Sequence, residues 1–141
     1  MKKLISFFLL SVLAVPCLAR PAASSDPILS EISEEEAYVW AAAIESTAPE
    51  ASFAVRVALA CVLLNRYRSP LFPSSPLKIA ATADFLSLDC TVEPSHKSLS
   101  AVRFALLGAS PCGRALYVKR GEGERGATPL LEIEGWCFYS G

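Results

Sequence analysis

Residues 55–72 read VRVALACVLLNRYRSPLF, and Phe53 and Ala54 carry the same apolar character back to Ser52. From Phe53 to Tyr67 there is almost no polar residue, Arg56 being the only charge before Asn65. A helix that is apolar all round is buried on every side. The stretch therefore predicts the central helix of the core, with Ser52 able to cap its start. Each large side chain it buries contributes about 1.5–3 kcal/mol, so an Asp at Leu63 or Leu64 is expected to prevent folding. Asn65 and Arg66 end the run, where Asn can cap a helix and a cation complements the negative dipole end.

On the N-terminal side, Pro49 interrupts a preceding helix. Ser33-Glu34-Glu35-Glu36 forms a capping box, and its three acids suit the positive end of a helix dipole, so a helix is expected from Glu34 to about Thr47. Ala37, Trp40, Ala41, Ile44 and Ala48 keep helical spacing on one face, with Glu45 at its edge. Residues 20–32, rich in Ala, Ser and Pro, read as a disordered lead segment. Before them, Lys2 and Lys3, an apolar run from Leu4 to Val15 and Cys17-Leu18-Ala19 have the layout of a cleavable secretory signal, cut after Ala19. That run falls short of the ~20 residues that span a bilayer. Pro16 stands where a lipoprotein signal needs a small, flexible residue. The expected organisation is a signal at 1–19, a lead at 20–32 and one domain at 33–141, secreted and without stable membrane insertion after cleavage.

On the C-terminal side, Ser69 to Pro76 is a loop of prolines and serines. A short helical piece is expected at Leu77 to Ala83, then an irregular segment from Asp84 to Ser95. A third full helix is expected at Ser98 to Leu107, with Leu99, Val102 and Leu106 inward and Gly108 as its stop. The remainder changes character: Ala115 to Lys119 has strand composition, and Gly121 to Thr128 is a polar loop. Leu130 to Ile133 turns through Glu134-Gly135 into Trp136 to Tyr139 as a hairpin. The fold class is α+β, mainly α.

Loss of Lys2 and Lys3 with the signal leaves a net charge of about −3, which offers no basic patch to nucleic acid. Of the 5 cysteines, Cys61, Cys90, Cys112 and Cys137 remain after cleavage, in a compartment where disulfides form. The spacing does not choose among the three possible pairings. Cys61 also reads as a small core residue, and Cys112 to Cys137 is the favoured bridge, tying the last hairpin to the preceding turn. The cysteines lack the paired spacing of a zinc site. His96, the sole histidine, reads as a surface residue ahead of the third helix. Neither a metal nor a cofactor is expected.

The order of these elements and several local strings resemble the cell-wall hydrolase family that includes the spore-cortex-lytic enzymes. Residues 55–72 are similar to that family's buried helix, which ends in Leu-Asn-Arg, here Leu64, Asn65 and Arg66. A Ser-Pro-x-Phe-Pro loop follows, here Ser69, Pro70, Phe72 and Pro73. Ala83-Asp84-Phe85 sits where the family has a Gly-Gln-Phe turn, and Ala115-Leu116-Tyr117 matches its Ala-Leu-Tyr strand. Glu134 to Tyr139 resembles its closing Gly-x-His-x-Phe-Tyr hairpin. The likeness runs from Glu35 to Tyr139 and implies a small lysozyme-like domain with a buried central helix and a C-terminal β-hairpin, acting on peptidoglycan glycan strands in the cell wall or spore cortex. It departs from the family in three places. The family's glutamate, about eighteen residues before the Asn, falls on Thr47, with Glu45 two residues earlier. Trp136 replaces the histidine, and Asp84 replaces the glutamine.

Glycosidic cleavage needs a proton delivered to the leaving oxygen, and burial of a carboxyl group keeps it protonated near neutral pH. Glu45, beside Ile44 and Ala41, is the expected general acid. The resemblance implies a lytic transglycosylase or hydrolase in which this one carboxylate also serves as base. Asp84, Phe85, Tyr117, Trp136 and Tyr139 are the expected sugar contacts, although aromatics in a hairpin also serve packing. Three readings stay open: an enzyme of this kind, a non-catalytic descendant that binds glycan or a wall partner, or a small disulfide-held exported protein unrelated to cell walls.

Overall fold

The computed structural model describes residues 32–89 and 91–141; the signal and the lead segment lie outside them except for Ile32, which is buried in the core. Ser52 accepts a hydrogen bond from Val55 N and starts a helix at Phe53–Arg68. This helix, α2, is preceded by α1 (Glu34–Thr47) and followed by α3 (Pro76–Thr82) and α4 (His96–Leu106). Strands β1 (Tyr117–Arg120), β2 (Leu131–Ile133) and β3 (Trp136–Tyr139) complete the described chain. Val55, Ala58, Leu59, Ala60, Val62 and Leu63 of α2 have no exposed surface. The helix packs chiefly against α4 and also meets α1, α3 and β1. An apolar helix is stable in water only when surrounded in this way.

α1 begins with the capping box that its sequence requires: Ser33 Oγ accepts from Glu36 N, and Glu36 Oε2 accepts from Ser33 N. It buries Trp40, Ala41 and Ile44. The Trp40 indole, fully enclosed, donates to Pro76 O at 2.8 Å and so ties α1 to the start of α3. The three strands form an antiparallel sheet in the order β1-β3-β2, with Val118 opposite Phe138 and Ile133 opposite Trp136. All four residues of the central strand β3 are buried. The turn between β2 and β3 places Glu134 at φ 51 and Gly135 at φ 76, the left-handed pair that matches a two-residue hairpin to the strand twist.

Several boundaries differ from the sequence-based expectation. α4 starts at His96, two residues early, because Ser95 is its N-cap and accepts from Ser98 N. This turns Ser98 onto the buried face at 0% exposure, while Leu99 is only partly buried. β1 covers Tyr117–Arg120 rather than 115–119. Asn65 and Arg66 do not cap α2; the cap is Ser69, whose N–H reaches Arg66 O. Asn65 Nδ2 instead donates to Gly113 O and Ala115 O, both at 2.9 Å. The Cys112–Cys137 bridge is not formed. Cys61, Cys112 and Cys137 are buried free thiols, and Cys112 Sγ turns toward Ala58 O on α2, away from the hairpin.

Candidate functional site

Glu45 lies in the last turn of α1 and is 16% exposed. Its Oε2 accepts from Arg56 Nη1 at 2.6 Å, from Ser98 Oγ at 2.8 Å, from Ser95 N at 3.2 Å and from Ser95 Oγ. Arg56, the first of three arginines in α2, is 2% exposed. It also donates to Ser98 Oγ and Pro49 O, each at 2.5 Å, and to Ala51 O at 3.1 Å. The network joins the end of α1, the start of α2 and the N-terminus of α4, whose positive dipole end adds to the attraction for an anion. Burial pushes the Glu45 carboxyl up, but the hydrogen bonds from Ser95, Ser98 and Arg56 outweigh it and hold the pKa at about 2. The expectation that Glu45 keeps its proton at neutral pH is therefore not met in this structure: a cation and two hydroxyls surround the carboxylate and favour its ionised form.

The other expected contacts fall into separate places. Asp84, Phe85 and Tyr117 gather around Arg66, which is itself 4% exposed. The guanidinium carbon stands 4.7 Å from the Phe72 ring centroid, 4.9 Å from that of Phe85 and 5.7 Å from that of Tyr117. Its Nε donates to Leu116 O at 2.7 Å, and Nη2 reaches Asp84 Oδ1 at 3.2 Å. Asp84 remains 75% exposed and Tyr117 42%, so both are open to a ligand. Thr47, in the register of the family's glutamate, accepts from Ser87 N at 2.7 Å, joining the end of α1 to the segment that carries Asp84 and Phe85. Tyr139 is 7% exposed, and its hydroxyl accepts from Glu124 N at 2.9 Å. Its bond holds the loop after β1.

Trp136 lines a cleft of about 280 Å³ between the α1–α2 turn and the hairpin, together with Pro49, Glu50, Arg120 and Glu134. The Arg120 guanidinium covers the indole at 5.3 Å, which leaves Trp136 4% exposed. Glu134 Oε2 accepts from Ser52 N at 3.2 Å, bracing the hairpin turn against the start of α2. Two carboxylates and a guanidinium on one concave surface suit a ligand with many hydroxyls. Sequence reasoning did not mark Glu50, Arg120 or Glu134 as walls of a cleft. It noted Arg56 without assigning it a role. A single charge inside the apolar stretch from Phe53 to Leu64 signals a buried partner, but its side-chain partners lie 11 and 42 residues away in sequence. Among the described residues no group of three or more His, Cys, Asp and Glu side chains is placed to hold a metal ion, and no helix is long and apolar enough to cross a membrane.

No protein-family model and no curated protein sequence matches the chain. Two solved structures do. The catalytic domain of the Bacillus cereus SleB protein superposes with a TM-score of 0.70 at 21% identity, over 77% of this chain and 92% of that one. The catalytic domain of the germination-specific lytic transglycosylase SleB from Bacillus anthracis superposes with a TM-score of 0.66 at 22% identity, over 77% and 96%. With helices packed around a buried central one and a small antiparallel sheet at the C-terminal end, the chain has the lysozyme-like fold of these catalytic domains.

Proposed function

We propose that the protein is exported and binds the glycan strands of peptidoglycan, with Glu45 serving as an ionised framework carboxylate. The ligand class rests on the fold shared with a lytic transglycosylase catalytic domain and on the cleft between the α1–α2 turn and the hairpin, where Glu50, Arg120 and Glu134 can meet sugar hydroxyls. The observation that carries the framework role is the bonding of Glu45: one carboxylate oxygen takes donors from Arg56, Ser95 and Ser98.

The catalytic reading makes Glu45 the single general acid and base of a lytic transglycosylase or hydrolase, and the same fold likeness favours it. That mechanism begins with a protonated carboxyl. The donors from Arg56, Ser95 and Ser98 hold the Glu45 carboxyl well below the usual carboxylate range, so it rests ionised at pH 7, and an ionised carboxylate is a poor donor to a leaving oxygen. A substrate that displaced Ser95 and Ser98 from the carboxylate would have to supply the difference.

Cosedimentation with purified sacculi and a turbidity assay, run on the wild type, Glu45→Gln and the cleft variant Glu50→Ala/Arg120→Ala, separate the readings. Binding without clearing, weakened by the cleft variant, supports the proposal. Clearing by the wild type with release of ring-closed anhydro sugar ends, abolished by Glu45→Gln, establishes the catalytic reading instead. Absence of binding overturns both.

A further inference from the structure

Two of the buried thiols face each other across the core, outside the candidate site. Cys61 is on α2 at 3% exposure, and Cys112 lies in the turn ahead of β1 at 1%. Their contacts are reciprocal. Cys61 Sγ donates to Ala109 O at 2.6 Å, the carbonyl three residues before Cys112. Cys112 Sγ reaches Ala58 O at 3.6 Å, the carbonyl three residues before Cys61. Each sulfur thus crosses to the other's backbone. Cys137 is occupied elsewhere, its Sγ 3.8 Å from Gly121 O. A pair of cysteines spaced as small core residues has no need of this crossing, because one thiol against an apolar neighbour packs equally well.

We propose that Cys61 and Cys112 are a disulfide site, closed when the chain folds in an oxidising compartment. The reaction needs an external disulfide as oxidant. One cysteine thiolate attacks a sulfur of that oxidant and expels one thiolate. The second cysteine then attacks the mixed disulfide and expels the other. Two thiols lose two protons and two electrons to form one S–S bond, and the oxidant takes them up as two thiols. Because both sulfurs are enclosed in the finished fold, the bond forms while the core is closing. It pins α2 to the turn before β1 and closes a loop of about fifty residues that contains α3 and α4. The inference is independent of what the cleft binds.

The test refolds the full chain from denaturant with oxidised glutathione, alkylates free thiols and digests with trypsin. The expected product is peptide 57–66 (VALACVLLNR) linked to peptide 104–114 (FALLGASPCGR), separating into the two on reduction. The oxidised protein should melt on the order of 10–20 °C above the reduced one, by the entropy of closing so long a loop. Cys112→Ala, with Cys61→Ala as a second variant, should abolish that difference. Linkage of peptide 104–114 to the peptide containing Cys90 or Cys137 overturns the assignment. So does full alkylation of both Cys61 and Cys112 after refolding with the oxidant.

Discussion

Replacing Glu45 with Gln tests the electrostatic account of the α1–α2–α4 junction most directly. In the folded protein its pKa is about 2 against 4.5 for an unpaired side chain. A shift of that size corresponds to about 3 kcal/mol of stability at neutral pH, each unit being worth about 1.4 kcal/mol. A carboxyl depressed on folding contributes fully above its unfolded pKa, so the term is complete above pH 4.5 and disappears as the pH falls through 2. Urea unfolding of the wild type between pH 7 and pH 2 should therefore lose this increment below pH 4.5, and Glu45→Gln should lack it. At pH 7 the variant should be destabilised by about 3–5 kcal/mol, since it leaves Arg56 charged, enclosed and without its anion. The double change Glu45→Leu/Arg56→Met removes both charges and should recover much of the loss. Carbon-detected NMR titration of the Glu45 carboxyl provides the direct reading. A midpoint at or above 4.5, or the same pH slope in wild type and Glu45→Gln, would refute the reasoning and reopen Glu45 as a proton donor.

Three further outcomes follow from single contacts. Leu63→Asp puts a carboxylate where the native side chain has 0% exposure, and circular dichroism should show no cooperative unfolding transition, since an unpaired buried charge costs more than a small domain's whole stability. Arg66→Lys keeps the charge but loses the planar fork that donates to Leu116 O and lies among Phe72, Phe85 and Tyr117; thermal unfolding should report a loss of about 1–2 kcal/mol. Gly123→Ala places a Cβ 2.8 Å from Tyr139 Oη, so the bond from Glu124 N should weaken, and amide exchange at Glu124 should accelerate severalfold without loss of the fold.

Helix positions were legible because their determinants are local. The capping box at Ser33 and Glu36 satisfies backbone groups within its own first turn, and Ser52 does the same for α2, so four to sixteen residues of sequence suffice to place α1 and α2. The hairpin was legible for the same reason, since Glu134-Gly135 adopts the left-handed pair that its two-residue turn requires. The start of α4 was misjudged where two caps compete. Ser95 and Ser98 both suit an N-cap, and the choice of Ser95 lets Ser98 turn inward to Glu45 and Arg56.

By itself, then, the chain's order of residues determined a mainly helical domain around an apolar central helix, closed by a hairpin, because capping, periodicity and turn conformation act within a few residues. Only the tertiary structure decided what surrounds Glu45. A carboxylate's proton affinity depends on the groups that surround it in space, and here those are Arg56, Ser95 and Ser98, 11, 50 and 53 residues away. The same holds for the meeting of Cys61 with Cys112 and for the walls of the cleft, since long-range packing, which no local pattern encodes, brings those side chains together.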